Sequence, residues 1–451
     1  MIKLGTKEIA KAVGGKAEKD ITIDGVFTDS RKPVKGGLFV AIEGENFDGH
    51  DFIGAAVKEG AAAVLCRKAP DADVPYILVD DTKAAYQKLA AYYRQKTGVK
   101  VVGITGSVGK TTTKDFTYLC FSAKYNTFKT QGNLNNDIGV PATLLSIDAC
   151  HQAAVVEMGM NHAGEISLLS KIAASDAAII TNVGVTHIEN LGSRENILKA
   201  KLEILDGLKE GSPLIINADN DMLSGLDIKG FRLIRCSMEK KADVYANNII
   251  ETAEGSYFQV NVLGEKGSVK LPAAGRHNII NALLALAAGK VFDIPVEDMC
   301  KALQLYEPSG MRQRVKVVKG ITFIEDCYNA SPDSVNASLS VLKNMTVKRR
   351  IAVLGDMLEL GDIAVSAHES IGKSAKDNNV DILFTYGELS KNTARTAIDS
   401  GVSEVYTFDS HDALAEKLYS ILRSNDGVLV KGSRGMKLEN VLNKLYDLLG
   451  E

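Results

Sequence analysis

The run Val101-Val102-Gly103-Ile104-Thr105 passes without a break into Gly106-Ser107-Val108-Gly109-Lys110-Thr111-Thr112, and no other stretch limits the fold as strongly. A β-branched segment of this kind suits a strand buried on both faces of a parallel sheet. The glycines let the backbone turn sharply and approach a ligand, and from Thr111 a helical pattern runs to about 123. Strand, glycine loop and helix in this order make a phosphate-binding loop. Its amide hydrogens and the helix N-terminus face negative charge, Lys110 adds a point charge, and the Thr111 hydroxyl can ligate a divalent cation. The longer consensus has glycine at 104, where this chain has Ile.

A chain of 451 residues predicts about three domains. Turn-rich sequence with short apolar runs (38–42, 62–65) marks a small α/β block over 1–82. A helical pattern at 82–97 leads into the phosphate loop's block, 83–310. There, strand candidates at 153–156, 177–181 and 214–217 alternate with helical patterns at 164–173, 194–209 and 277–291, which predicts a parallel sheet. After a turn at 308–310 a third block, 311–451, repeats the alternation. Its strands are expected at 322–326, 351–354, 382–386, 405–408 and 428–430, and its helices at 332–343, 367–378, 388–400, 410–423 and 437–449. A second, Rossmann-like, doubly wound sheet follows.

Apolar residues at 45% and charged ones at 24% suffice for several cores, which excludes disorder over most of the length. With 53 basic against 56 acidic residues the formal charge is −3, so nucleic acid is not an expected partner. No apolar run of bilayer length occurs, and the first residues resemble no secretion signal. The six cysteines are scattered without a Cys-x-x-Cys pair, as in a reduced, cytoplasmic protein with mostly buried thiols.

Three residues outside the loop draw attention. Glu157 closes an apolar run and so falls at the carboxyl edge of a strand, where open α/β sheets bind ligands; it could share a cation with Thr111 or be a solvated strand end. His187 follows another strand, and taken alone a histidine there is more often a satisfied structural residue than a ligand. Lys201 lies on a helical stretch whose Lys and Glu residues read, by periodicity, as a solvated face.

Taken together and in order, the phosphate loop, Glu157-Met158-Gly159, Asn182-Val183-Gly184 with His187, Lys201, Gly275-Arg276-His277-Asn278 with Asn281, and Lys431-Gly432-Ser433-Arg434 resemble the ATP-dependent Mur ligase family. Further motifs resemble the member that adds D-alanyl-D-alanine to UDP-N-acetylmuramoyl-tripeptide: Asp29-Ser30-Arg31, Asp48-Gly49-His50, Asn133 to Pro141, Tyr328-Asn329-Ala330-Ser331-Pro332, and Leu354 to Gly361. The resemblance implies a small N-terminal UDP-binding domain, a central ATP-binding domain and a C-terminal ligase domain.

It also implies roles. Gly106 to Thr112 would cradle ATP, with Asn281 on adenine, Asp326 on ribose and Arg312 on the γ-phosphate; Arg314 is an equal claimant to the last. Lys201 would be carbamylated, so that Thr111 and Glu157 hold one Mg2+ and His187 and the carbamate a second. Ser30 and Arg31 would meet the UDP-sugar, with Asp48 and His50 shaping the same loop. Asn135 and Asn136 would border the sugar or peptide side, and Asn329 and Ser331 the dipeptide. The implied reaction activates the tripeptide carboxylate as an acyl phosphate, which the dipeptide amine attacks, in a monomer whose domains close about a hinge near 307–310. The closest rivals are another ligase of the family, a folylpolyglutamate-type synthetase and a nucleotide-dependent switch. His368 is given no role.

Overall fold

The computed structural model describes residues 3–44, 47–252, 254–308 and 310–451. Glu45 and Asn46 of the turn-rich first block, and Ser309 of the expected hinge, lie outside them.

The N-terminal sheet has the strand order Lys16–Ala17, Tyr76–Leu78, Ala63–Cys66, Leu38–Val40, Val26–Phe27, parallel except for the first strand. The helix Thr82–Thr97 joins this unit to the next. Asp81 caps its first turn, and Tyr86, Leu89 and Tyr93 are buried in one apolar cluster with residues of both units. Tyr93 donates to Ile147 O at 2.6 Å and Arg94 to Ala173 O at 2.9 Å, so the helix is tied to the central unit by side chains whose polar ends are satisfied.

The central sheet has nine strands. From one edge they run Thr127–Lys129, β2 (Ala153–Glu157), β1 (Lys100–Thr105), β3 (Ala177–Ile180), Pro213–Asn217, Arg232–Ser237, Val244–Thr252, Gly255–Val262 and Glu265–Leu271. The first seven are parallel, as the alternation predicts; the last two add antiparallel ladders, so the sheet is mixed rather than wholly parallel. The final hairpin turns through Leu263 and Gly264, both at positive φ, the geometry that two-residue hairpins favour.

The helix α1 (Lys110–Ser122) leaves the phosphate loop and packs against α3 (Arg276–Val291), which is buried along most of its length. The helix expected over 194–209 is shorter. α2 (Arg194–Leu202), capped by Ser193, gives way to a 3-10 segment at Glu203–Gly207. There Ser170 Oγ donates to Ile204 O and accepts from Gly207 N–H, pulling the chain off the α-helical path.

The C-terminal sheet orders Arg314–Val318, β4 (Ile321–Asp326), β5 (Asp426–Lys431), Arg349–Gly355, Ile382–Tyr386 and Glu404–Phe408, parallel apart from the first, antiparallel edge strand. Its helix α4 (Pro332–Lys343) starts with Pro at the first position and Ser331 at the N-cap. The carboxyl ends of β1, β2 and β3 in the central unit and of β4 and β5 in the third contribute to one cleft between them.

Candidate functional site

The cleft encloses about 1130 Å3 and is lined from both sides, with Lys110, Glu157, Asn281, Arg312, Asp326 and Asn329 among its wall residues. The phosphate loop forms its floor. Gly106 (φ +154°) has no space for a side chain, because a Cβ there would overlap Thr181 Oγ1, and Gly109 (φ +82°) lies under the Asn281 amide. Ser107, Val108 and Thr112 complete the loop's lining. The loop is cross-braced to the end of β3: Thr181 Oγ1 donates to Val108 O at 2.6 Å, Val108 N–H to Asn182 Oδ1 at 2.9 Å, and Gly184 N–H to Ser107 Oγ at 3.0 Å. Lys110 Nζ folds over the loop to Gly106 O (2.8 Å) and Ser107 O (3.3 Å); burial lowers its pKa, partly countered by Glu157.

Glu157 is 2% exposed, which excludes the solvated strand end. Thr111 Oγ1 donates to its Oε2 at 3.0 Å, Asn135 Nδ2 to its Oε1 at 2.9 Å, and its own backbone N–H donates to Thr130 Oγ1 at 3.0 Å. Hydroxyl and carboxylate thus already stand together as hard oxygen donors suited to Mg2+. Asn136 also borders the cleft, but its Oδ1 accepts from Gly139 N–H (2.8 Å) and so starts the helix Gly139–Leu145.

Lys201 is 1% exposed, so it is no part of a solvated face. Burial drives its pKa well down, with the Lys110 charge adding to the effect and no carboxylate among the causes to oppose it. The uncharged amine is the form that reacts with CO2, and an anion formed there would be attracted by the Lys110 charge that repels the ammonium, so the side chain fits a carbamate.

His187, at positive φ (+65°), caps the short helix Ile188–Leu191. The partner that the structure brings to it is Glu359 from the third domain, with Oε2 at 2.5 Å from Nδ1, which pulls the Glu359 carboxyl below its ordinary range. Sequence reading saw Glu359 only inside a motif; a contact between two units leaves no local pattern to read.

On the opposite wall, Arg312 lies 4.0 Å above the Tyr328 ring, whereas Arg314 points to Glu325 (3.6 Å) and is more than half exposed. Arg312 also depresses the Lys110 pKa, which places its charge beside the phosphate loop. Asp326 accepts from Lys431 Nζ at 2.7 Å and Ser338 Oγ at 2.6 Å, with Gln313 N–H at 3.3 Å. Lys431 reaches on to Asn329 O (3.1 Å), and Ser331 Oγ lies 3.2 Å from Ser334 Oγ. Gln313 bridges the units: its Oε1 is 3.1 Å from His277 Nε2 and 3.3 Å from Asn278 Nδ2.

Ser30 and Arg31 are not brought to the cleft. The Arg31 side chain, 87% exposed, is fastened to Asp29 by two contacts of 2.9 Å. Asp48 and His50 bond each other at 2.6 Å, and His50 Nε2 accepts from Arg67 N–H, a loop-building role.

A braced phosphate loop, a buried acid bonded to its threonine, and an arginine presented from a second α/β unit define a nucleotide-dependent enzyme of the multi-domain ligase class. The family models agree along the chain: "Mur ligase family, catalytic domain" matches 22–94, "Mur ligase middle domain" 104–289 and "Mur ligase, glutamate ligase domain" 311–434. The chain belongs to the Mur ligase family. It is 38% identical to UDP-N-acetylmuramoyl-tripeptide--D-alanyl-D-alanine ligase of Bacillus subtilis, covering 99% of both chains. Among solved structures it resembles MurF from Acinetobacter baumannii (TM-score 0.90, 30% identity, 99% of both chains). It also resembles MurF ligase from Thermotoga maritima in complex with ADP (TM-score 0.84, 28% identity, 94% of this chain and 97% of that one).

Proposed function

We propose that this enzyme joins D-alanyl-D-alanine to UDP-N-acetylmuramoyl-tripeptide at the expense of ATP. The observation that carries the reading is the single cleft in which the phosphate loop, Glu157 and Arg312 converge from two domains. The relatives' names supply the substrates, and the matching length gives room for all three modules.

In this reading the tripeptide carboxylate attacks the γ-phosphorus of ATP, the β–γ bridging bond breaks, and ADP leaves an acyl phosphate. The neutral amine of the dipeptide then attacks the acyl carbon; the C–O bond to phosphate breaks and the amine's proton is lost. Two anions must approach in the first step, so cationic groups have to lower their repulsion. Lys110 and Arg312 supply that charge from opposite walls, and the fork of Arg312 suits phosphoryl oxygens. Asn281 is assigned to the base and Asp326 to the ribose, a reading supported by the closeness of Asn281 to Gly109 and by the hold of Lys431 and Ser338 on Asp326.

Thr111 with Glu157, and His187 with a carbamylated Lys201, would hold two Mg2+ ions, which when bound offset phosphate charge. Asn135 steadies Glu157 and borders the peptide side; Asn329 and Ser331 border the dipeptide. Ser30 and Arg31, on the N-terminal unit, are assigned to the UDP-sugar, and approach of that unit and the third domain would exclude water from the acyl phosphate. The compartment assigned in this reading is the cytoplasm. Separately, no helix among the described residues is long and apolar enough to cross a membrane.

The test is phosphate release from ATP and Mg2+ by the purified chain. Release is expected only when both UDP-N-acetylmuramoyl-tripeptide and D-alanyl-D-alanine are present, with one amide formed per phosphate. Release indifferent to both substrates would leave a nucleotide switch as the better account.

A further inference from the structure

The segment Leu354–Gly361 stands out in the sequence yet has no part in the reaction as derived. Its fold shows a loop tied down at successive residues. Asp356 accepts from the backbone N–H of Ser390 (2.7 Å) and Leu389 (3.2 Å). Met357 N–H donates to His368 Nε2 at 3.0 Å, and His368 Nδ1 is 2.7 Å from Ala364 O, which accounts for that buried histidine. Leu358 N–H donates to Ser433 Oγ at 2.9 Å.

This bracing carries Glu359, at φ +63°, across the domain boundary to His187, itself at φ +65°. Gly361 (φ +51°) lies against the helix that His187 caps; a Cβ there would come within 3.2 Å of Glu189 Cα. Glu359, a residue type that rarely takes the left-handed conformation, therefore holds it opposite a histidine in the same conformation, a cost that persists where the surroundings impose it and that concentrates at functional sites. Glu359 Oε2 reaches His187 Nδ1 obliquely, without a straight hydrogen bond, and contacts of this kind tighten when ligands bind.

An imidazole that ligates a cation through one nitrogen commonly gives its other N–H to a carboxylate, which fixes the tautomer and ring orientation and raises ligand basicity. We propose that Glu359 is a positioning residue that orients the His187 ring from the third domain, so that the second cation site is complete only when the third domain is docked on the central one. The inference rests on the reading of His187 as a cation ligand. It makes site assembly conditional on domain position, with no residue of the third domain touching the cation.

The test is a Mn2+ titration of the full chain with ADP, followed by electron paramagnetic resonance, for wild type, Glu359→Ala, Glu359→Gln and, as a control, Glu369→Ala, which removes an exposed carboxylate paired with Arg395. Wild type and Glu369→Ala should bind two ions. In Glu359→Ala the weaker ion should bind about 10- to 100-fold less tightly while the tighter one and the melting temperature stay put. Glu359→Gln, which keeps an acceptor for Nδ1–H without the charge, should fall between. Unchanged affinities in both Glu359 variants would overturn the proposal, as would equal loss of both ions together with a lower melting temperature, which marks a purely structural loop. A wild type that binds one ion would overturn it too, and substrate-dependent phosphate release would then still uphold the ligase reading.

Discussion

On the central wall of the cleft, Glu157 is bonded by Thr111, Asn135 and Thr130, and the phosphate loop is pinned to Thr181, Asn182 and Gly184. The third-domain wall is looser at its reactive edge: Arg312 is held by the face of one aromatic ring, and Asn329 Oδ1 accepts from the adjacent Ala330 N–H. The difference teaches where preorganisation is concentrated. The groups of the central wall proposed to meet phosphate are fixed before any ligand arrives, whereas Arg312, proposed to reach the phosphate from the third domain, and Asn329, proposed to border the dipeptide, are held by few contacts.

If the central wall carries the chemistry, its lysines should be the least replaceable residues. Lys110→Ala should lower kcat by about 1000-fold with a folded, cooperatively melting protein, since it removes a charge aimed at the transferring phosphoryl group. Steady-state phosphate release measures it, and a change confined to KM would move Lys110 into ground-state binding.

Lys201→Ala should follow, with a loss of about 100-fold or more that short carboxylic acids partly restore. Failure of every such acid, with the fold intact, would remove the carbamate.

Across the cleft, Arg312→Lys should cost about 10- to 100-fold in kcat/KM, because a point charge replaces a planar fork in a charged hydrogen bond, while Arg314→Ala should cost far less. Comparable losses would return the γ-phosphate role to both residues.

The smallest effect expected is on stability. Burial holds the His368 pKa below its ordinary 6.5, with the nearby backbone acceptor and Asp356 only partly opposing. As pH falls, the unfolded chain takes up this proton first, so stability present above about pH 6.5 is lost toward the lower folded value. Urea unfolding at pH 7.5 and 5.5 should therefore show a shallower acid loss in His368→Asn than in wild type; equal slopes would place the acid sensitivity elsewhere.

Much of this was legible because the parallel strands are continuous apolar runs and the helices keep their period. Pro332–Lys343 and Ile382–Tyr386 fall where the pattern puts them. The antiparallel extension Gly255–Val262 and Glu265–Leu271 escaped the same reading, since one of its faces meets solvent and its apolar residues alternate with Gln259, Asn261 and Lys270 instead of clustering. The alternation Phe258, Val260, Val262 followed by Leu263-Gly264 is the signal that would have found it. In the site, Lys201 was readable only by resemblance, because its burial comes from tertiary packing. Glu359 and Gln313 act between units, where spacing along the chain carries no information.

The cysteines lend themselves to a practical use. Five are buried, and burial pushes the thiols of Cys66 and Cys300 up to about 11 and that of Cys327 to about 12, leaving them protonated and poorly nucleophilic at neutral pH. Cys150, exposed on the turn before β2, is the native thiol open to reagents. A maleimide dye will therefore attach at one known point of the central unit without any native residue being replaced, and a second handle engineered in the third would turn the approach of the two walls into a distance read by energy transfer, one molecule at a time.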